Sequence, residues 1–324
     1  MLKKILITQP LPAERLSELA ALCEMEVLEK PLDLADAGGH SDLATCHGLI
    51  CLLTDRIDRP LLDVMPNLEF VSSVSVGVDH IDVQAFTERQ IPVGHTPGVL
   101  VDTTADAAFA LLLAAARRVA EGDRFIRAGN WRPDSRWSPS FFLGKDVSGA
   151  TLGIVGLGAI GQAVARRAAG FDMRVIGWTP SGREVAGVDS VSLEELLLRS
   201  DFVSVHVALA DATRNLLDAA KIATMKPGAV LINTARGGIV DEKALFQALD
   251  SGHIYAAGLD VFEREPVPMD NPLLQHPRVV VVPHIGSATT LTRAKMVDTA
   301  VRNAIAALQG KPMPHCVNPA VYSG

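Results

Sequence analysis

The sequence is short of the residues that build disulfide-stapled or metal-stapled scaffolds. Its four cysteines, Cys23, Cys46, Cys51 and Cys316, show no CxxC spacing and no pattern with histidine that would ligate a metal. Free thiols in a reducing cytoplasm are therefore expected, with no metal cofactor. Basic residues are outnumbered, 30 Lys and Arg against 37 Asp and Glu. The formal net charge of -7 argues against nucleic acid or an anionic membrane as the main partner. It leaves room for a local basic pocket that holds an anionic substrate. Long apolar runs are missing too. The stretch around Leu111, Leu112 and Leu113 is alanine-rich and interrupted by Asp106, Arg117 and Arg118, so it reads as a buried helix rather than a membrane span. Pro10 and Pro12 stop the first apolar run too early for a signal peptide, and a cytoplasmic location is expected. Internal repeats and low-complexity tracts are absent.

What is present is a chain of 324 residues, 48% hydrophobic and 21% charged, long enough for two domains with substantial cores. Short apolar runs alternate with helical patterns, which is the signature of a parallel α/β architecture. In the first hundred residues the predicted strands are 4–7, 48–52, 69–73 and 92–95, with helices over 13–22 and 82–89. A long helix is predicted over 102–127, with Asp102, Thr103 and Thr104 as N-cap candidates and Gly129 at its end. The loop that follows carries Trp131, Pro133, Trp137 and Pro139 and is aromatic enough to predict burial against something. A second α/β series has strands at 151–155, 173–177, 202–206, 229–233, 254–258 and 279–282. Its helix 242–250 has Asp241 as N-cap and Gly252 beyond its end. A last helix, 289–308, is expected to cross back to the first domain. The expected division is 1–100 plus 288–324 for one discontinuous domain and 101–287 for the other.

The strongest local motif is Gly156-Leu157-Gly158-Ala159-Ile160-Gly161, which follows a predicted strand and opens a helical run. That context favours a dinucleotide-binding turn over an ordinary glycine-rich βα turn. The first glycine permits the tight turn, the second lets a pyrophosphate approach the backbone, and the third lets helix and strand pack closely. Free N–H groups at the helix start bind phosphate charge. About twenty positions on, an acidic residue would bind the ribose 2′-hydroxyl of NAD. Here the segment is Trp178-Thr179-Pro180-Ser181-Gly182-Arg183, without an acid. Thr179 and Ser181 can hydrogen-bond a 2′-phosphate and Arg183 can offset its charge, so NADP is favoured over NAD. The alternative is that Arg183 is a solvated loop residue.

Three polar residues follow predicted strands, where open α/β sheets place their ligands. Arg236 lies in Asn233-Thr234-Ala235-Arg236-Gly237, and its planar guanidinium suits the adjacent carboxylate and carbonyl oxygens of a 2-oxo acid. Glu265 lies in Glu263-Arg264-Glu265-Pro266, and His284 in Pro283-His284-Ile285-Gly286-Ser287. Histidine titrates near working pH, and a neighbouring glutamate would fix its ring and favour the imidazolium. Taken singly, each reads more readily as a solvated or structural residue. Their shared place at one sheet edge is what raises them together.

With those segments in hand, the chain resembles the D-isomer-specific 2-hydroxyacid dehydrogenase family, and within it the glyoxylate/hydroxypyruvate reductases. The likeness runs over nearly the whole length and includes residues 75–82, 95–100, 156–161, 233–237, 257–266 and 283–289. It implies two Rossmann-like parallel-sheet domains, the first substrate-binding and flavodoxin-like and the second dinucleotide-binding, with a cleft between them and closure on substrate. It implies that Arg236 binds and polarises the 2-oxo acid, and that Glu265 partners His284, the general acid in reduction and base in oxidation. Substrate contacts are implied at Leu53, in the segment 52–55, at the N–H groups of Val76 and Gly77, at Ser287, and at Trp137 reaching a neighbouring subunit. Cofactor contacts are implied at Thr104, Gly156, Gly158, Ala159, Ile160, Gly161, Thr234, Asp260, His284 and Gly286, beside Thr179, Ser181 and Arg183. The family's members are commonly homodimers.

The expected function is reduction of glyoxylate or hydroxypyruvate to the D-2-hydroxy acid with hydride from NAD(P)H. Relatives acting on D-lactate, phosphoglycerate or phosphite share the framework. So do dinucleotide-binding corepressors, which carry extra termini and docking surfaces.

Overall fold

The computed structural model describes residues 2–29, 32 and 43–323, and divides them into two compact units, 1–100 with 289–324 and 101–288. In the first unit the chain runs through β1 (Lys3–Ile7), α1 (Ser17–Ala20), β2 (Cys23–Val27), β3 (Gly48–Cys51), α2 (Arg59–Val64), β4 (Phe70–Ser73), α3 (Val83–Glu88) and β5 (Val93–Gly94). The five strands pair in parallel in the order β2-β1-β3-β4-β5. β3 and β4 are buried at every position, as a parallel sheet covered on both faces requires.

The second unit opens with α4 (Val101–Ala116) and α5 (Val119–Arg127). It continues through β6 (Thr151–Val155), α6 (Ala159–Ala168), β7 (Arg174–Trp178), β8 (Asp189–Ser190), α7 (Leu193–Arg199) and β9 (Phe202–Val205). Then follow α8 (Ala219–Thr224), β10 (Ala229–Asn233), α9 (Glu242–Asp250), β11 (Ile254–Leu259) and β12 (Val279–Val281). Its seven parallel strands lie in the order β12-β11-β10-β9-β6-β7-β8. The order reverses between β6 and β9, and a crevice at the carboxyl ends of strands opens at such a point. Side chains alternate across this sheet. Val230 and Ile232 pack with Leu152, Ile154 and Phe109 of α4, whereas Leu231 joins Val203, Val205 and Leu245 on the other face. The last helix, α10 (Thr290–Leu308), belongs to the first unit, where the Ser72 hydroxyl donates to its Ala300 carbonyl.

Several local expectations need correction. The helix over 102–127 is two helices. The Lys145 N–H takes the Ala116 carbonyl at 2.8 Å in place of the next turn, and Arg118 turns left-handed at φ 56. The Arg118 guanidinium binds both Glu121 oxygens and sits 4.2 Å from the Phe142 ring centroid. Asp102, Thr103 and Thr104 are no caps, because the helix starts at Val101, and Asp102 pairs with Arg167 instead. Trp131 and Trp137 are not buried within the chain, being 61% and 77% exposed. The contacts there are made by Phe125, Phe141 and Phe142, whose rings meet edge to face or tilted at 5.3–6.0 Å. β2 and β8 were not expected. β2 reads Cys-Glu-Met-Glu-Val and β8 is two exposed polar residues, so neither presents an apolar run. Among the described residues no helix is long and apolar enough to cross a membrane.

Candidate active site

The site in the second unit is assembled from the carboxyl ends of β6, β10, β11 and β12. β10 ends in Asn233, a buried amide after four apolar residues, and its side chain shapes the turn beyond. Its Oδ1 accepts the Ala235 N–H at 3.0 Å and its Nδ2 donates to the Arg236 carbonyl at 2.8 Å. Gly237 then lies flat against the next loop. A Cβ there would stand 1.8 Å from the Phe262 carbonyl carbon, so only glycine lets the Arg236 turn meet the Phe262–Glu265 turn.

Glu265 is held from both sides. Its Oε1 accepts the Phe262 N–H at 2.9 Å, and its Oε2 lies 2.7 Å from Nδ1 of His284. The pair is half-buried, with side-chain exposures of 22% for His284 and 29% for Glu265. Burial pushes the Glu265 carboxyl up, but the hydrogen bonds from His284 and Phe262, with the nearby charges of His284 and Arg236, outweigh it and leave the carboxyl below its ordinary range. With Nδ1 committed to a carboxylate, Nε2 is the ring's remaining proton site.

His284 itself adopts φ 53, a left-handed conformation that costs a non-glycine residue about 1–3 kcal/mol. Asp260, just past β11, stabilises it. The Asp260 carbonyl accepts the His284 N–H at 2.9 Å, while Oδ1 and Oδ2 accept the N–H groups of Ile285 and Gly286 at 2.6 and 2.8 Å. Burial raises the Asp260 carboxyl, a rise opposed by those two N–H groups and the His284 charge. This clamp, and the role of Asn233, were missed in the sequence. The signal was available in a carboxylate and an amide that each close an otherwise apolar strand.

At β6 the glycine turn meets the requirements of a dinucleotide cradle. Gly156 adopts φ 104, and a Cβ on it would stand 2.7 Å from the His206 backbone across the switch point. A Cβ on Gly161 would stand 2.0 Å from the Gly156 carbonyl oxygen, which brings α6 tight against the strand. Gly158 caps α6 without a side-chain hydrogen bond, and the space its Cβ would enter is open. Exposed Ala159 and half-buried Ile160 follow, so N–H groups at the start of a ten-residue helix stand ready for an anion. Just past β10, the buried Thr234 hydroxyl has no hydrogen-bond partner among the described residues, which leaves it able to bond a cofactor. These residues fit a bound dinucleotide.

Thr104 is buried on α4, and its side chain would lie 3.4 Å from a Cβ at Gly286; Ser287 is also buried. The Arg183 guanidinium donates to the Leu157 carbonyl at 3.2 Å and so reaches the glycine turn, while the residue remains exposed; Thr179 bonds the Arg183 carbonyl and Ser181 is also exposed. Trp137 stands apart, exposed on the loop after α5. In the first unit, half-buried Leu53 follows β3 and lines a depression with Asp55, Arg56 and His80, and Val76 and Gly77 are half-buried after β4.

Comparison with known proteins follows the same lines. Residues 109–286 match the family described as D-isomer specific 2-hydroxyacid dehydrogenase, NAD binding domain. The chain is 45% identical to a glyoxylate reductase of Korarchaeum cryptofilum over 98% of its own length and 96% of the relative's. A Thermus thermophilus protein of known crystal structure superposes with a TM-score of 0.90 at 45% identity, covering 97% of this chain and 99% of that one. The NADPH-dependent glyoxylate/hydroxypyruvate reductase of Sinorhizobium meliloti, solved with NADP and malonate, gives 0.87 at 32% identity over 98% of both chains.

Proposed function

The chain belongs to the D-isomer specific 2-hydroxyacid dehydrogenase family, and from that premise we propose that it reduces glyoxylate or hydroxypyruvate to the D-2-hydroxy acid, with NADPH preferred over NADH. The observation that supports this best is the Glu265–His284 pair, set on the same sheet edge as the Arg236 turn and the glycine cradle. When bound, the nicotinamide supplies the hydride. The residues of the chain do the rest. Arg236 presents a planar cation to the substrate's adjacent carboxylate and carbonyl oxygens. His284 delivers its Nε2 proton to the carbonyl oxygen as negative charge develops there, and Glu265 holds the imidazolium against losing that proton early. Each preorganised donor of this kind is worth on the order of a hundredfold in rate.

The N–H groups of Val76 and Gly77 are assigned the substrate carboxylate, with Leu53 and Ser287 as further contacts. Thr104, Thr234, Asp260 and Gly286 are assigned the nicotinamide end of the cofactor, and Thr179, Ser181 and Arg183 the 2′-phosphate. We further propose a cytoplasmic homodimer, in which a second copy covers exposed Val119, Ile126, Trp131 and Trp137. Initial rates with glyoxylate and hydroxypyruvate, each with NADPH and NADH at matched concentrations, test the activity. Turnover with NADPH ahead is the expected result. A clear NADH preference overturns the cofactor reading alone, and turnover of neither acid overturns the substrate reading.

A further inference from the structure

The loop after β4 is pinned by its carbonyls. The Ser75 carbonyl accepts the Thr96 N–H at 2.8 Å, the Val76 carbonyl lies 3.0 Å from Nδ1 of His95, and the Gly77 carbonyl accepts the Ser75 hydroxyl at 2.7 Å. A carbonyl oxygen can only accept, so the His95 proton on this bond sits on Nδ1. In a trans peptide the C=O and the following N–H point opposite ways. The Thr96 bond therefore directs the Val76 N–H away from the segment after β5, and the His95 bond does the same for the Gly77 N–H. In an extended strand successive carbonyls alternate sides. Here two in succession are drawn to the same neighbouring segment, so two successive N–H groups emerge on the other side, an arrangement that binds anions.

His95 is itself held firmly. Its N–H donates to the His315 carbonyl at 3.1 Å, and its carbonyl accepts from Nδ2 of Asn303 at 3.0 Å. Asn303 is fully buried on α10 and also accepts the His315 N–H at 3.1 Å. The helix and tail contributed by residues 289–324 thus fix the His95 backbone, from which the ring reaches the carbonyl of the Val76–Gly77 peptide.

We propose that His95 is a positioning residue for substrate binding: through Nδ1 it holds the Gly77 N–H aligned to receive the carboxylate of the 2-oxo acid. This rests on the proposed reduction of a 2-oxo acid, with that carboxylate bound at Val76 and Gly77. The test compares wild type with His95→Leu, His95→Gln and His95→Asn, reading kcat and KM for glyoxylate, KM for NADPH, and the inhibition constant of oxalate. An asparagine amide nitrogen takes the place of Nδ1, whereas a glutamine amide takes the place of Nε2.

His95→Leu and His95→Gln should each raise the glyoxylate KM and the oxalate inhibition constant roughly tenfold, the loss of one aligned hydrogen bond to a charged group. kcat and the NADPH KM should stay within about threefold, and His95→Asn should recover most of the affinity. Should the leucine variant fail to fold, the glutamine variant carries the test. Wild-type turnover with unchanged glyoxylate KM in both variants would overturn the inference while leaving the function standing. A parallel rise in the NADPH KM, or no recovery with asparagine, would also overturn it. Absence of glyoxylate turnover in the wild type would instead sink the functional reading on which it rests.

Discussion

Glu265 Oε2 and His284 Nδ1 lie 2.7 Å apart, and the second Glu265 oxygen is tied to the Phe262 backbone, so the carboxylate cannot swing away without losing both partners. Replacing the charge with an amide keeps the shape but removes the group that favours the imidazolium. Glu265→Gln should lower kcat for glyoxylate reduction by about a hundredfold or more, with little change in cofactor affinity. The pH dependence has a definite sign. The folded carboxyl is held below its ordinary value, so the pair's contribution to stability is full above the unfolded glutamate value. It is lost as pH falls through the lowered folded value. Wild-type stability should therefore drop at the acid end more than that of Glu265→Gln, which thermal melts across an acid series would measure.

The proposed preference for NADPH rests on Arg183, whose guanidinium reaches the glycine turn through its bond to the Leu157 carbonyl. If that guanidinium meets a 2′-phosphate, Arg183→Ala should reduce kcat/KM for NADPH by about tenfold while leaving NADH within about twofold, since a charge-assisted hydrogen bond is lost only with the phosphate present. Equal losses with both cofactors would show that Arg183 serves only the loop.

The strands of both sheets were legible wherever burial on two faces demanded apolar runs, as in β3, β6 and β10. The positions of Arg236 and His284, three residues past β10 and β12, and of Glu265 in the loop after β11 were legible as well, because each is a polar residue that follows such a run. The break between α4 and α5 was hidden, since it depends on Lys145, far along the chain from Ala116, taking a carbonyl out of the helix. Asp260 was visible as a residue but not as a clamp on the His284 turn, because its partners are backbone N–H groups that any sequence supplies. The short edge strands β2 and β8 carry too little apolar character to announce themselves.

Thiol reactivity gives an independent check on packing. Burial pushes the Cys23 thiol up to about 11 and the Cys51 thiol up to about 12, so almost no thiolate exists at neutral pH. Cys46 is fully buried, while Cys316 is partly accessible. Brief alkylation of the native protein about one pH unit below a free thiol's value should label Cys316 well ahead of the other three, as peptide mass mapping would record. Early labelling of Cys51 would contradict the buried position of β3.

Gly237 offers the sharpest test of how the Arg236 and Glu265 turns are brought together. Its Cα rests on the Phe262–Glu263 peptide, and an added methyl would stand 1.8 Å from one backbone atom and 2.1 and 2.2 Å from two others. Backbone cannot yield as a flexible side chain can, so Gly237→Ala must separate the Arg236 turn from the Glu265 turn. Overpacking of this kind costs about 3 kcal/mol or more, and the melting temperature should fall by roughly 6–12 °C for a unit of this size. Activity at temperatures where the variant stays folded should fall further than stability does, because the Arg236 and His284 groups would no longer share one geometry. A variant with wild-type melting and wild-type kcat would mean that the two turns are not in contact as described.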